Sequence, residues 1–455
     1  MGKGDRVALH AHNSSSFVFA FLGLARLGAI AVPINFMLGA TEVGFICDHA
    51  GVTGAIVEDA LVGNVAIDGM QVVIGEAVDG WEDFEALLAH EDATEPDVRI
   101  EDDHPVAITY TSGTESRPKG AVLTSRSLIS QFVSCIVDCE FTAGDVELHP
   151  MPLYHCAQLF VFLMPDLYVG ATNVILPGAD PATILRNIEE HGITKLFVAP
   201  TVWIGMLRHP DFDTRDLSTL KKGFYGASPM PVEVLQELAR RLGDVELYNL
   251  YGQTEMAPVA TLLRPEDQLR KPGSAGHAAL NVDTMVVDDD DAQLPVGEIG
   301  EIVHRSPHAM TGYYNDDEKT AAAFKSGWFH SGDLGFVDDD GYLFVVDRKK
   351  DMIKSGGENV ASREVEECIY EHPSVEEVAI FGVPDERWIE AVTAAIVVRG
   401  GGDGDADAIH AHCREKLAGY KRPKHVVFVD ALPKNASGKI VKRDLRDQFS
   451  NLGAK

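Results

Sequence analysis

Apolar positions in the first third of the chain fall into two alternating textures. Residues 14–27 and 41–50 place apolar side chains three and four apart and read as helices, while the short β-branched runs 29–34 and 54–57 read as buried strands. The alternation continues with a strand at 174–176, a helix over 181–191 and a strand at 195–199. Strands alternating with helices predict parallel sheets covered by helices. From about Asp283 the texture changes to short strands and tight turns, at 284–287, 301–304 and 342–346, which predicts a β-rich subdomain. Beyond Lys350 the pattern is mixed again: helix 362–370, strands 375–381 and 391–398, helix 407–417 and strand 425–429. The fold expected is α/β. A large N-terminal domain, residues 1–347, has parallel sheets covered by helices plus the β-rich subdomain, and a small α+β C-terminal domain spans 348–455. The basic run Arg348-Lys349-Lys350 marks the joint, and Gly400-Gly401-Gly402 marks a surface loop.

Composition narrows the function classes. Of 455 residues, 45% are hydrophobic and 24% charged, enough apolar material for two or three packed domains and too much for a disordered chain. Lys and Arg number 39 against 70 Asp and Glu, a formal charge of −31. Such a chain repels phosphate backbones and anionic lipids, so neither nucleic acid nor a membrane is an expected partner. The acidic runs Asp288–Asp291 and Asp338–Asp340 lack the spacing of a calcium loop and read as solvated turns on a salt-adapted surface. The six cysteines, at 47, 135, 139, 156, 368 and 413, form neither a zinc pattern nor a disulfide framework, which points to the cytoplasm. The most membrane-like stretch, residues 17–38, is broken by Arg26, Gly28 and Pro33 and reads as a helix followed by a strand.

Five segments carry chemistry. Tyr110-Thr111-Ser112-Gly113-Thr114-Glu115-Ser116-Arg117-Pro118-Lys119-Gly120 follows an apolar strand and reads as a strand-to-helix loop. Its hydroxyls, glycines and lysine suit a polyphosphate, which needs inward-pointing N–H groups and a mobile cation. Pro118 and Gly120 exclude a Walker A loop. Taken alone, the segment also fits a solvated turn. Tyr251-Gly252-Gln253-Thr254-Glu255 follows a strand; Ser331-Gly332-Asp333-Leu334-Gly335 puts one carboxylate in a glycine-flanked turn suited to two vicinal hydroxyls. Asp347-Arg348-Lys349-Lys350-Asp351 lies at the joint, and Ser437-Gly438-Lys439 presents a lysine on a turn near the end.

In this order the five motifs resemble those of the adenylate-forming superfamily of acyl-CoA synthetases, luciferases and adenylation domains, and are most similar to those of fatty-acyl-CoA synthetases, over residues 4–446. The resemblance implies an ATP-dependent acid–thiol ligase. Thr111, Ser112, Gly113, Thr114, Glu115 and Lys119 would close over the β- and γ-phosphates of ATP, with Thr114 and Glu255 holding Mg²⁺. Gly226, Ala227, Ser228 and Tyr251, with Gly252 and Thr254 of the same segment, would border the nucleotide. Asp333 would take the ribose hydroxyls, with Arg348 beside it. Lys439 would reach the attacking carboxylate and the α-phosphate. The resemblance further implies that a carboxylate attacks the α-phosphorus, expelling pyrophosphate, and that a thiol then displaces AMP from the acyl-adenylate. Between the halves the small domain would rotate about Lys350, bringing Lys354, Gly356 and Gly357 to the pantetheine path of coenzyme A. His155 matches an aromatic gate between acyl pocket and thiol path, although a lone histidine also suits a general base or a core position.

The expected acid is a medium- or long-chain fatty acid, since residues 159–164, 202–203 and 206–207 offer apolar surface; a cinnamate-type acid is the alternative, and a homodimer is left open. The family normally carries a further strand pair and helix before the segment matching Gly4-Asp5-Arg6-Val7, so Met1 is expected to be either a late start or the edge of a fragment, with apolar surface uncovered. An inactive nucleotide-binding homologue is the competing reading from another class. A second adenylating chemistry is disfavoured, because the segment Cys156-Ala157-Gln158 lacks an Asp to hold a substrate ammonium.

Overall fold

The computed structural model describes residues 1–92, 94–111, 118–228, 230–434 and 440–452. Arg6–His10, whose apolar centre Val7-Ala8-Leu9 is fully buried, lies between Ile30–Pro33 and Gly54–Glu58 and is parallel to both. Such two-sided burial is what a continuous apolar strand requires. Met70–Ile74 and Pro105–Thr111 extend the parallel array, and Lys119–Thr124 and Gly312–Tyr313 finish it antiparallel. Helix Ser15–Leu27 starts where the Ser14 side chain accepts from the Phe17 N–H, stops at Gly28 and buries Phe17, Val18, Ala20, Phe21 and Leu24. The membrane-like stretch is thus a helix and a core strand. Among the described residues no helix is long and apolar enough to cross a membrane.

In a second sheet Thr172–Ile175, Val146–His149, Lys195–Phe197, Lys222–Gly226 and Glu246–Gly252 run parallel in that order, with Val259–Leu263 antiparallel at one side. Leu159–Met164, together with Trp203, Met206 and Leu207, is packed into the core beside this sheet. Phe162 stacks on Phe197 with ring centres 4.4 Å apart. Burying side chains of this size contributes about 1.5–3 kcal/mol each.

The parallel register also sets Lys195 opposite Glu147. The Lys195 Nζ lies 2.8 Å from Glu147 Oε2, pairs with Asp166 as well and sits 3.3 Å from the centre of the Phe141 ring, with all three charged side chains fully buried. Burial, reinforced by the Glu147 charge, pushes the Asp166 carboxyl up to about 9. Burial alone would strip the Lys195 proton, but Glu147 and Asp166 outweigh it and the ammonium is held more tightly than usual. Beside them burial lowers His149 to about 4. Its neutral ring bridges Gln158 Nε2 at 2.7 Å and Asn173 Oδ1 at 2.6 Å, so Nδ1 accepts and Nε2 donates.

Asp283–Val287, Gly300–Arg305, Trp328–Val337 and Leu343–Arg348 form the antiparallel β-rich sheet. Both acidic runs are turns: Asp288 Oδ1 accepts from the N–H groups of Asp290 and Ala292, and Asp338 Oδ1 from those of Asp340 and Tyr342. The second run is also gripped by Lys271, 2.7 Å from Asp338 Oδ2. The last sheet pairs Val375–Asp385 with Ile389–Val398, adds His425–Phe428 in parallel and is covered by Ser362–Tyr370 and Ala406–Lys416.

Candidate active site

Two strand ends meet at the first group of polar side chains. Glu246–Gly252 turns sharply at Gly252, where a Cβ would lie 1.8 Å from the Pro258 carbonyl oxygen, so only glycine fits. The turn brings Tyr251 and Gln253 to Asp333, which faces Arg348 across the neighbouring strand pair. Asp333 is nearly buried and accepts three bonds: from Arg348 Nε at 2.9 Å on Oδ1, and from Tyr251 Oη at 2.8 Å and Gln253 Nε2 at 3.0 Å on Oδ2. Burial, and then the Asp333 charge, push the Tyr251 phenol well up, so it stays a donor. Gly226 ends the adjacent strand, and the next residue, Ala227, holds a left-handed φ of 63°, a strain of about 1–2 kcal/mol of the kind that marks functional turns. Ser228 comes next, half-buried.

The second group surrounds Glu255, in the short turn Thr254–Met256. Tyr313 Oη donates to Glu255 Oε1 at 2.8 Å, and the Glu255 carbonyl accepts from the Met310 N–H at 2.8 Å. Glu255 and Asp333 both act on the Arg348 charge, which joins the two groups. Thr111 and Lys119 face each other at the end of a strand pair. The strand-to-helix expectation for this loop is corrected here. After Lys119 the chain returns as a second strand, because Ala121, Val122 and Leu123 have a sheet and core to enter; the helix waits for Thr124, whose side chain accepts from the Ser127 N–H. The loop therefore does not lead straight into a helix N-terminus. Ser112, Gly113, Thr114 and Glu115 lie outside the described residues, as does Lys439.

A third feature is a small cavity lined by Met151, His155, Gln158, Phe197, Ala199 and Ala227, among others. His155 Nδ1 accepts from the Ala157 N–H at 3.2 Å, and its ring forms part of the cavity wall. Cys156 Sγ lies 3.2 Å from Thr254 Oγ1, so the histidine segment is tied to the Glu255 turn. Sequence reasoning missed Cys156 and Tyr313. Their partners are 98 and 58 residues away, and the only local signal was the paired aromatics of Gly312-Tyr313-Tyr314.

At the joint, the N–H groups of Asp351 and Met352 both bond to the Arg348 carbonyl, and exposed Lys350 sits in the turn they close. Asp351 is bonded to Arg446 at 2.8 Å. Lys354, Gly356 and Gly357 belong to the hairpin Ile353–Ser355/Glu358–Val360, whose two-residue turn needs the φ of 63° and 88° found at its glycines. The turn of this hairpin is exposed, and the hairpin bonds to Glu390 and Trp388 of the C-terminal region; no bond among the described residues ties it to the Asp333 group.

Comparison with known proteins places these features in a family. The AMP-binding enzyme family profile matches residues 1–314, and that of the AMP-binding enzyme C-terminal domain matches 364–439. The chain is 37% identical to a feruloyl-CoA synthase of an Amycolatopsis species over 451 residues, covering 98% of this chain and 89% of the other. It is 38% identical to a long-chain-fatty-acid–CoA ligase of Mycobacterium tuberculosis over 455 residues, 99% and 89% of the two chains. The crystal structure of ATP-bound MatB from Rhodopseudomonas palustris superposes with a TM-score of 0.90 at 30% identity, over 99% of this chain and 90% of that one. By sequence and by fold, the chain belongs to the AMP-binding enzyme family.

Proposed function

We propose that this protein is an ATP-dependent acyl-CoA ligase that activates an apolar carboxylic acid as its acyl-adenylate and passes the acyl group to coenzyme A. The observation that carries this reading is the convergence of Tyr251, Gln253, Glu255, Asp333 and Arg348 beside a small, mostly apolar cavity walled by His155. In this reading the nucleotide sugar binds at Asp333. A carboxylate offers about four acceptor positions, three of which are taken, so gripping two vicinal hydroxyls requires Tyr251 or Gln253 to release one. Gly226, Ala227 and Ser228 border the base; Thr111, Lys119 and the segment between them hold the phosphates. Glu255, with Thr114, suits Mg²⁺: its turn presents a carboxylate oxygen, a hard ligand for a hard cation. When bound, the ion offsets charge on the phosphates. Domains 1–347 and 348–455 pivot at Lys350, exchanging Lys439 for the Lys354–Gly357 hairpin between the two half-reactions.

The acid is proposed to be a medium- or long-chain fatty acid. What supports this is the mostly apolar lining of the cavity, where Gln158 has both ends of its amide engaged, by the Met151 N–H and by His149. A cinnamate-type aryl acid is the second reading, favoured by the feruloyl-CoA synthase relative. The test is kcat/KM for CoA ligation across C2, C6, C8, C12 and C16 acids, benzoate and coumarate. Each methylene buried adds about 0.8 kcal/mol, so activity should rise with chain length to a plateau. A tenfold preference for benzoate or coumarate over every aliphatic acid would select the aryl reading.

A further inference from the structure

Tyr313 belongs to none of the five motifs, yet it touches two of them. It sits on the two-residue strand Gly312–Tyr313, paired antiparallel with the strand that begins at Lys119, so that Tyr313 faces Ala121. The segment is strapped on both flanks: the Tyr314 N–H donates to the Gly120 carbonyl at 2.8 Å, the Thr311 N–H to that of Val122 at 3.1 Å, and the Met310 N–H to that of Glu255 at 2.8 Å. The Tyr313 N–H itself donates to Thr320 Oγ1 at 2.8 Å. The phenol then donates to Glu255 Oε1 at 2.8 Å, and the Lys119 ammonium lies 5.2 Å from the centre of the same ring. Burial, with the Glu255 charge behind it, keeps the phenol protonated. Among the described residues no donor reaches Glu255 Oε2.

We infer that Tyr313 is a positioning residue that sets the cation-binding carboxylate of Glu255 and the phosphate-binding ammonium of Lys119 in fixed relation to one another. The inference rests on the proposed adenylating function. Its physical basis is that one rigid ring serves both groups. The hydroxyl occupies Oε1 and so turns Oε2 outward as the oxygen available to a cation, while the negative face of the ring holds the ammonium that would otherwise swing on four methylenes. Losing an outer hydrogen-bond partner of a metal-ligating carboxylate costs about 10- to 100-fold in metal affinity.

The experiment is calorimetric binding of a non-hydrolysable ATP analogue, with Mg²⁺ and with EDTA in its place, to the full chain and to three variants. Tyr313→Phe keeps the ring and removes the hydroxyl. It should weaken binding of the Mg²⁺ complex by about tenfold or more and change binding of the metal-free analogue by less than about twofold. Tyr313→Leu should weaken both, since the Lys119 contact goes too. Glu255→Gln is the reference for the site itself and should abolish the gain in affinity that Mg²⁺ brings. If Glu255→Gln removes that gain and Tyr313→Phe leaves it intact, the role assigned to Tyr313 is wrong and the site reading stands. If Glu255→Gln leaves the gain intact, the site reading fails first. Thermal melting of Tyr313→Phe within a few degrees of the parent keeps the comparison one of binding; a collapsed melting temperature with metal-free binding also lost would make Tyr313 a structural residue and overturn the inference.

Discussion

The Lys439→Ala variant is expected to form acyl-adenylate about a thousandfold more slowly than the parent, a loss of about 4 kcal/mol of transition-state stabilisation. As the carboxylate attacks and pyrophosphate leaves, negative charge gathers at the α-phosphorus, and the lysine of Ser437-Gly438-Lys439 is the cation the motif assigns to it. The same variant, supplied with ready-made acyl-adenylate and coenzyme A, should make thioester at close to the parent rate, because in the proposed cycle the small domain would by then have turned another face to the site. The measurement is pyrophosphate release for the first half and thioester formation for the second. Equal losses in both halves would remove the role proposed for Lys439.

Lys195→Met is expected to cost about 3–5 kcal/mol of stability, the range for breaking a buried pair and leaving its partner charge alone. In the parent cluster the Lys195 ammonium is held more tightly than usual between two buried carboxyl groups, and the Asp166 carboxyl is raised to about 9. Methionine fills the lysine stem but leaves the buried carboxyl groups with no cation. The pH dependence has a definite sign. The Asp166 carboxyl is raised from an ordinary value near 4 to about 9 in the folded chain. Between those limits the folded state holds a proton that the unfolded state has released, so the contribution of Asp166 to stability is fully present below about pH 4 and declines as pH rises toward 9. Asp166→Asn removes that decline, and its melting temperature relative to the parent should improve steadily from pH 5 to pH 9. A Lys195→Met variant that melts within a degree of the parent would contradict this description of the cluster.

Features that could be read from the sequence and features that could not divide along a physical line. Helices Pro181–His191 and Ser362–Tyr370 carry their apolar faces within their own residues, the first with its cap, Asp180, directly before it, and the structure has them where the pattern puts them. Tyr251, Asp333 and Arg348 were legible because each sits in a short motif, and the structure brings all three together. The loop after Thr111 was misassigned because glycines and hydroxyls fix the chemistry of a turn but not the element the chain enters next. The apolar run Ala121-Val122-Leu123 decided that, once a neighbouring strand was there to receive it. The Glu147–Asp166–Lys195 cluster, the Cys156–Thr254 contact and the Tyr313–Glu255 bond leave no periodic trace. They arise from register between elements 19 to 98 residues apart, and from sequence alone a buried lysine looks like any other.

The central claim is that one chain makes an acyl-adenylate and then a thioester. The most direct measurement is a single-turnover reaction with radiolabelled octanoate, ATP and Mg²⁺, first without and then with coenzyme A. Without it, enzyme-bound octanoyl-adenylate should accumulate to about one equivalent with matching pyrophosphate; on adding coenzyme A, the label should move to the thioester and AMP should be released. Label that never enters an adenylate, with any acid of the panel, or an adenylate that coenzyme A leaves untouched, would contradict the account.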